Sequence, residues 1–309
     1  MSAWFRGRAR TVAPAVGCFG KLPLDREFLR VNAHYPEVEG LDRWIQGGLA
    51  VAHEQLAGDP AGEGRGLYGG WHGSHFLLPP AERGQRYCLG HMAPSEDSAG
   101  RRYPCTCFLL LDARGAGPAH LLPLRYRAYL AAAEAVVAAG RGETERGAWM
   151  ERVRSLESVA MPGNGEATVT EGDGVGALLA QLLPAGADAT GHLQLLVEAA
   201  QRPRGGWWLA LPAAAEEAVA AWLLFADHLR PDGASGVAAF WGNGRVWLAA
   251  PPLAPRGLLY LLGHAGEDDR LVDATEADTV AAAAGRAGEP VAGAVANATV
   301  AELARWRWR

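Results

Sequence analysis

The stretch Gly17–Phe28, GCFGKLPLDREF, reads as the end of a short strand running into a turn. The strand spans Val16–Leu22 and stops at Pro23, which has no N–H to give to a ladder. Working outward, three more strands are expected close together: Gly70–Leu78, Tyr87–Ala93 and Pro104–Leu111. Pro79-Pro80 and the Ser/Gly-rich run 95–100 separate them. Further on, Gly206–Leu211 reads as a strand. Val237–Trp241 and Val246–Ala250 read as a hairpin, because Asn243-Gly244 supplies the positive φ a tight turn demands.

Helical periodicity fills the intervals. Leu41–Leu56 carries Leu41, Trp44, Ile45, Leu49 and Ala52 on one face, with Asp42 as its expected N-cap and Gly47-Gly48 as a weak point. Leu124–Ala139 is an Ala-rich helix stopped by Gly140. Further helices are expected over Glu145–Leu156, Gly176–Leu183, the region 193–200, Ala213–Leu229, Gly257–Leu262, and near 278–284 and 300–306. Strands interspersed with helices, the first strands clustered, predict an α+β sandwich: a central, largely antiparallel sheet flanked by helices. Residues 1–15 read as a flexible basic N-terminus, 16–263 as one domain, and 264–309 as an Ala-rich, helical extension packed on it.

The chain has 309 residues, 49% hydrophobic and 20% charged, an ordinary globular composition. A net charge of −5 supplies no bulk basic field for nucleic acid. No run approaches the roughly 18–20 apolar residues of a membrane span. The basic N-terminus lacks an apolar core of about 7–15 residues, so no signal peptide is read and a cytoplasmic location is expected. There Cys18, Cys88, Cys105 and Cys107 are expected reduced. Cys105 and Cys107 share one strand face and read as small buried hydrophobes.

His72, His75, Cys88, His91, Cys105 and Cys107 crowd one region with a spacing that mimics a zinc finger. Residues three apart on a strand point to opposite faces, so neither His72 with His75 nor Cys88 with His91 shares an ion, and no metal site is expected. Ser74 and Ser95 are nucleophiles only by residue type, with no G-x-S-x-G elbow. Gly62, Gly64 and Gly66 lack the strand before and helix after that a phosphate cradle needs. The terminal run RWRWR reads as a pinned end rather than a membrane or nucleic-acid hook. A second informative stretch remains, Pro94–Pro104, PSEDSAGRRYP. Turn chemistry explains Ser95, Asp97 and Ser98 locally, with Arg101 paired to Asp97, and this local reading is favoured; in the functional reading Arg101 and Arg102 offer directional charge-assisted bonds to a partner's carboxylate or phosphate.

Taken together, the two stretches resemble the signature blocks of the TagF (ImpM) family of the bacterial type VI secretion system. Phe19, Gly20, Lys21, Leu22, Pro23 and Phe28 match the first block, with Leu24-Asp25-Arg26-Glu27 departing from its usual Ser-Arg-Gly-Asp. Asp42, Trp44, Ile45 and Gln46 match a following D-x-W-x-Q segment, and Trp71–Leu78 an aromatic strand. Pro94, Ser95, Asp97, Gly100, Arg101, Tyr103 and Pro104 match the second block. Phe240-Trp241 and Gly257-Leu258 resemble later features. The likeness is firm over 17–111 and extends to about 263.

The resemblance implies a longin- or SNARE-like fold. It also implies a non-enzymatic cytoplasmic regulator, without cofactor, that represses secretion after translation by binding other proteins, linked to the forkhead-associated scaffold Fha. Neither nucleic acid nor membrane insertion is expected. Lys21, Asp97, Arg101 and Arg102 are the residues expected to meet the partner. Two other readings stand beside this one: a hydrolase or zinc enzyme built on the 72–107 region, and a longin-like adaptor of another pathway, acting on a small GTPase.

Overall fold

The computed structural model describes residues 15–57, 66–80, 86–163, 170–202, 207–229, 236–264 and 270–305. The basic N-terminus, most of the glycine run at 58–66 and the end of the RWRWR tail lie outside them. In chain order the elements are β1 (Ala15–Gly20), β2 (Leu29–Val31), α1 (Pro36–Ala57), β3 (Ser74–Leu78), β4 (Arg86–Ala93), β5 (Cys105–Asp112), α2 (Leu122–Arg125), α3 (Arg127–Gly140) and α4 (Arg146–Val159). The second half adds α5 (Val175–Leu182), α6 (Ala189–Gln201), β6 (Trp208–Pro212), α7 (Glu216–Leu229), β7 (Ala238–Gly242), β8 (Arg245–Ala249), α8 (Gly257–Leu262), β9 (Leu271–Asp273), α9 (Ala277–Arg286) and α10 (Glu289–Asn297).

The nine strands form one sheet, in the order β2-β1-β5-β4-β3-β7-β8-β6-β9. Every pairing is antiparallel except β6 with β9. The α+β class is therefore as the sequence predicts. Helices cover both faces, which is why the central strands read as nearly unbroken apolar runs. On one face Leu77, Leu89, Cys107, Leu109 and Leu209 pack beneath α3, α4 and α7, with Trp149 and Trp222 buried among them. On the other Phe76, Cys88, Phe108, Leu110 and Phe240 pack beneath α1 and α8. Cys105 and Cys107 do share a face, both buried and both free thiols.

Three local expectations are corrected. First, α1 begins at Pro36, five residues before Leu41, because Pro36 suits the first helical turn and Glu37 and Glu39 favour its N-terminal dipole. Asp42 is thus not a cap but a buried helix residue. Second, Gly48 is no weak point: a Cβ there would lie 2.4 Å from Leu258 Cβ, so glycine lets α8 approach α1. Third, the expected strand from Gly70 starts only at Ser74, since residues 67–70 form a turn closed by Trp71 N–H donating to Tyr68 O. The expected hairpin is present, with Asn243 at φ 52° and Gly244 at φ 75°. The short edge strands β2 and β9 and the helix α10 carry too little pattern to be read from sequence.

Candidate functional site

β1 and β5 are neighbours, so the strand residues that open the first block meet the end of the second. The contact is close. Gly20 has φ 128°, and a Cβ there would sit 2.1 Å from the Pro104 carbonyl oxygen. Only glycine satisfies both conditions. Directly after it, Lys21 leaves the strand and donates from Nζ to Asp97 Oδ2 at 2.7 Å.

Asp97 closes the second block upon itself. Its Oδ1 accepts from the backbone N–H of Ala99 (3.0 Å) and Arg101 (2.9 Å), and its Oδ2 accepts from Arg101 Nε at 2.7 Å. Asp97 N–H donates to Arg101 O, and Gly100 N–H to Asp97 O, with Gly100 at φ 75° making the turn. Ser98 N–H donates to Asp25 O, tying this loop to the divergent part of the first block. Burial raises the Asp97 carboxyl, but Lys21, the two backbone donors and the Arg101 guanidinium outweigh it and hold the group well below the usual carboxylate range.

A second network continues inward. The Tyr103 hydroxyl donates to the Asp42 carboxylate, which also accepts from Arg30 Nη2 (2.8 Å) and Gln46 Nε2 (3.0 Å). Burial and that bond together push the Tyr103 phenol far above its ordinary range. Trp44 completes the segment by donating its indole N–H to Ala254 O at 2.9 Å. The D-x-W-x-Q residues and the second block are thus joined side chain to side chain.

Of the four residues expected to meet a partner, Lys21, Asp97 and Arg101 are brought together and bonded to one another. Arg102 is placed apart. It is exposed, bridges antiparallel to Glu96, and lines a surface cavity of about 510 Å³ with Pro23, Tyr68, Ser95, Glu96 and Arg141. Tyr68 donates its hydroxyl to Ser95 O at 3.0 Å, and burial raises its pKa. Arg141 was not singled out from sequence. It follows Gly140 at the end of α3, a position read only as a helix stop. The outward chemistry here is two exposed guanidiniums and one carboxylate around a cavity lined also by Pro23, Leu67 and Pro94, an arrangement suited to holding an anionic side chain.

The other sequence candidates are dispersed, Cys88 and His91 by strand parity and His72 by lying before β3. His72 is exposed, and Cys88 and His91 face opposite sides of the sheet. Ser74 Oγ accepts from Trp71 Nε1 at 2.9 Å, while Ser95 Oγ is buried without a partner, so neither hydroxyl bonds to a histidine.

One consequence is testable by pH. Asp97 ionises more readily in the folded chain than its unfolded value of about 3.9. Its contribution to stability is therefore full above that pH and is lost as pH falls below it. The Asp97→Asn variant is expected to melt lower than wild type at pH 7, with the gap closing in strong acid. Equal thermal midpoints at pH 7 would refute the assigned role.

Residues 17–156 match the family described as TagF N-terminal domain, type VI secretion system-associated. No curated protein matches the chain. Among solved structures, the crystal structure of PA0076 from Pseudomonas aeruginosa PAO1 is similar, with a TM-score of 0.49 at 21% identity, covering 82% of this chain and 96% of that one. Both sequence blocks and both side-chain networks begin inside the segment that matches the TagF N-terminal domain, type VI secretion system-associated.

Proposed function

We propose that this protein is a non-enzymatic regulator of type VI secretion that acts in the cytoplasm by binding another component of the apparatus, the forkhead-associated scaffold Fha being the expected partner. The observation that carries the reading is the division of labour within the matched segment. Lys21, Asp97 and Arg101 are bonded among themselves and shape the loop, which leaves Arg102 and Arg141 as the outward cations at the cavity rim. Paired guanidiniums recognise carboxylates or phosphates by directional, charge-assisted bonds. Repression then follows from occupying the partner rather than from turnover.

The test is an affinity capture from the native cytoplasm, read by mass spectrometry, comparing wild type with an Arg102→Glu/Arg141→Glu variant. Both positions are exposed, so the variant is expected to keep the wild-type melting temperature. Wild type is expected to recover type VI components and the variant to lose them by at least about tenfold, the size of effect given by removing about 1.4 kcal/mol of interaction. Equal recovery by both, or turnover that depends on Ser74 or Ser95, defeats the proposal. Arg101 is unsuited to this test, because its replacement opens the loop that Asp97 closes.

A further inference from the structure

The register of β3 against β4 sets His75 directly opposite His91, on the sheet face covered by α3. Their ring centroids are 4.8 Å apart and their Nδ1 atoms 3.2 Å apart. Above them, Glu134 follows the buried Ala133 on α3 and brings Oε2 to 3.5 Å from His75 Nε2. One donor atom from each of the three side chains lies within 4.8 Å of the others. We propose that His75, His91 and Glu134 bind a single first-row transition-metal dication of the zinc class, clamping the β3–β4 hairpin to α3. This goes beyond the partner-binding reading and does not depend on it.

The donor set argues for that class of ion. Two imidazoles and one carboxylate suit zinc, nickel, cobalt or copper, whereas calcium and magnesium prefer oxygen ligands throughout. Tetrahedral bonds of about 2.0–2.1 Å place donors about 3.4 Å apart. With Nδ1 of each histidine as the donors, their 3.2 Å separation is already at that spacing, while Glu134 Oε2 lies 3.5 Å from the other ring nitrogen of His75 and must approach. The remaining gap closes by movement of Glu134, whose side chain is 59% exposed. The histidines are the fixed part: opposed positions on paired strands hold their Cβ atoms about 4.5–5.5 Å apart.

The surroundings fit. His91 lies against Gly73, where φ is 131° and a Cβ would stand 3.0 Å from His91 Nε2, so glycine leaves room for the ring. Glu134 and Glu216 both act on His75, adding negative charge, while Arg141 acts on His91 in the opposite sense. Trp241, opposite His75 on β7, has a buried indole N–H without a partner among the described residues. The exposed side of Glu134 gives the ion its entry path.

The experiment uses the full chain with no polyhistidine tag, stripped with chelator and titrated with Co²⁺ and then Zn²⁺. Expected are one saturable equivalent, visible d–d bands of a four-coordinate cobalt site that zinc bleaches, and a higher melting temperature with metal. Glu134→Gln, at an exposed position that does not disturb the metal-free melting temperature, and His91→Gln are each expected to weaken binding at least about tenfold. His72→Gln is expected to change nothing. Absence of a saturable equivalent, or equal affinity in wild type and Glu134→Gln, overturns the site and assigns any bound metal to surface histidines.

Discussion

A fragment ending at Val159, which contains the whole matched segment, is expected not to fold by itself. It would keep β1 to β5 and α1 to α4 but lose the sheet's continuation. β3 pairs with β7 through His75↔Trp241, Phe76↔Phe240 and Leu77↔Ala239, so the cut leaves β3 as an open, apolar edge. Such edges template aggregation. The apolar face of α1 loses α8, and Trp44 loses Trp208, Phe240 and the Ala254 carbonyl. The face under α3 and α4 loses α7 and Trp222. Circular dichroism and amide chemical-shift dispersion on the fragment check this. The expected outcome is a collapsed or aggregating species, and a monomer with dispersed amides would show that the sheet divides at β3.

Replacing Trp44 by alanine is expected to cost about 3–5 kcal/mol, the usual range for removing a buried aromatic. Trp44 is 6% exposed and stands at the seam of the two halves. Its ring lies 6.2 Å from Trp208, nearly parallel, and 5.2 Å from Phe240, stacking that adds to the area it buries. Its indole N–H holds the Ala254 carbonyl, just before α8. Trp44→Phe keeps most of the ring and loses that bond, so a smaller loss of about 1–2 kcal/mol is expected. Urea unfolding with a common m-value separates the two variants. A Trp44→Ala cost below about 1 kcal/mol would mean that α1 does not couple the halves.

How far this was legible in the sequence differs from element to element. Strands β3, β4, β5 and the β7–β8 hairpin were visible because apolar runs and turn residues are local signals, and Asn243-Gly244 demands its turn whatever surrounds it. The start of α1 was misplaced because Asp42 has the chemistry of a cap. Its actual role, accepting from Tyr103 and Arg30 as well as from Gln46 on its own helix, depends in part on groups outside that helix. The same holds for the site. Lys21, Asp97 and Arg101 were found by type and position, and the Arg101–Asp97 pair is the local one the turn predicts, but the bond from Lys21, seventy-six residues away, was not foreseeable. Arg141, which shares the cavity with Arg102, carried no sequence signal at all.

The sequence by itself determined the class of fold, the two signature blocks and the residues that build their junction, since these follow from periodicity, turn chemistry and short-range spacing. The tertiary structure alone decided which of those residues turn outward and which strands become neighbours. Strand parity correctly separated Cys88 from His91, whereas His72 precedes β3 altogether. Parity is silent on register, and register is what set His75 against His91 under Glu134. Alternation along a strand is a property of the local backbone, whereas pairing across a sheet is chosen by the packing of the whole core.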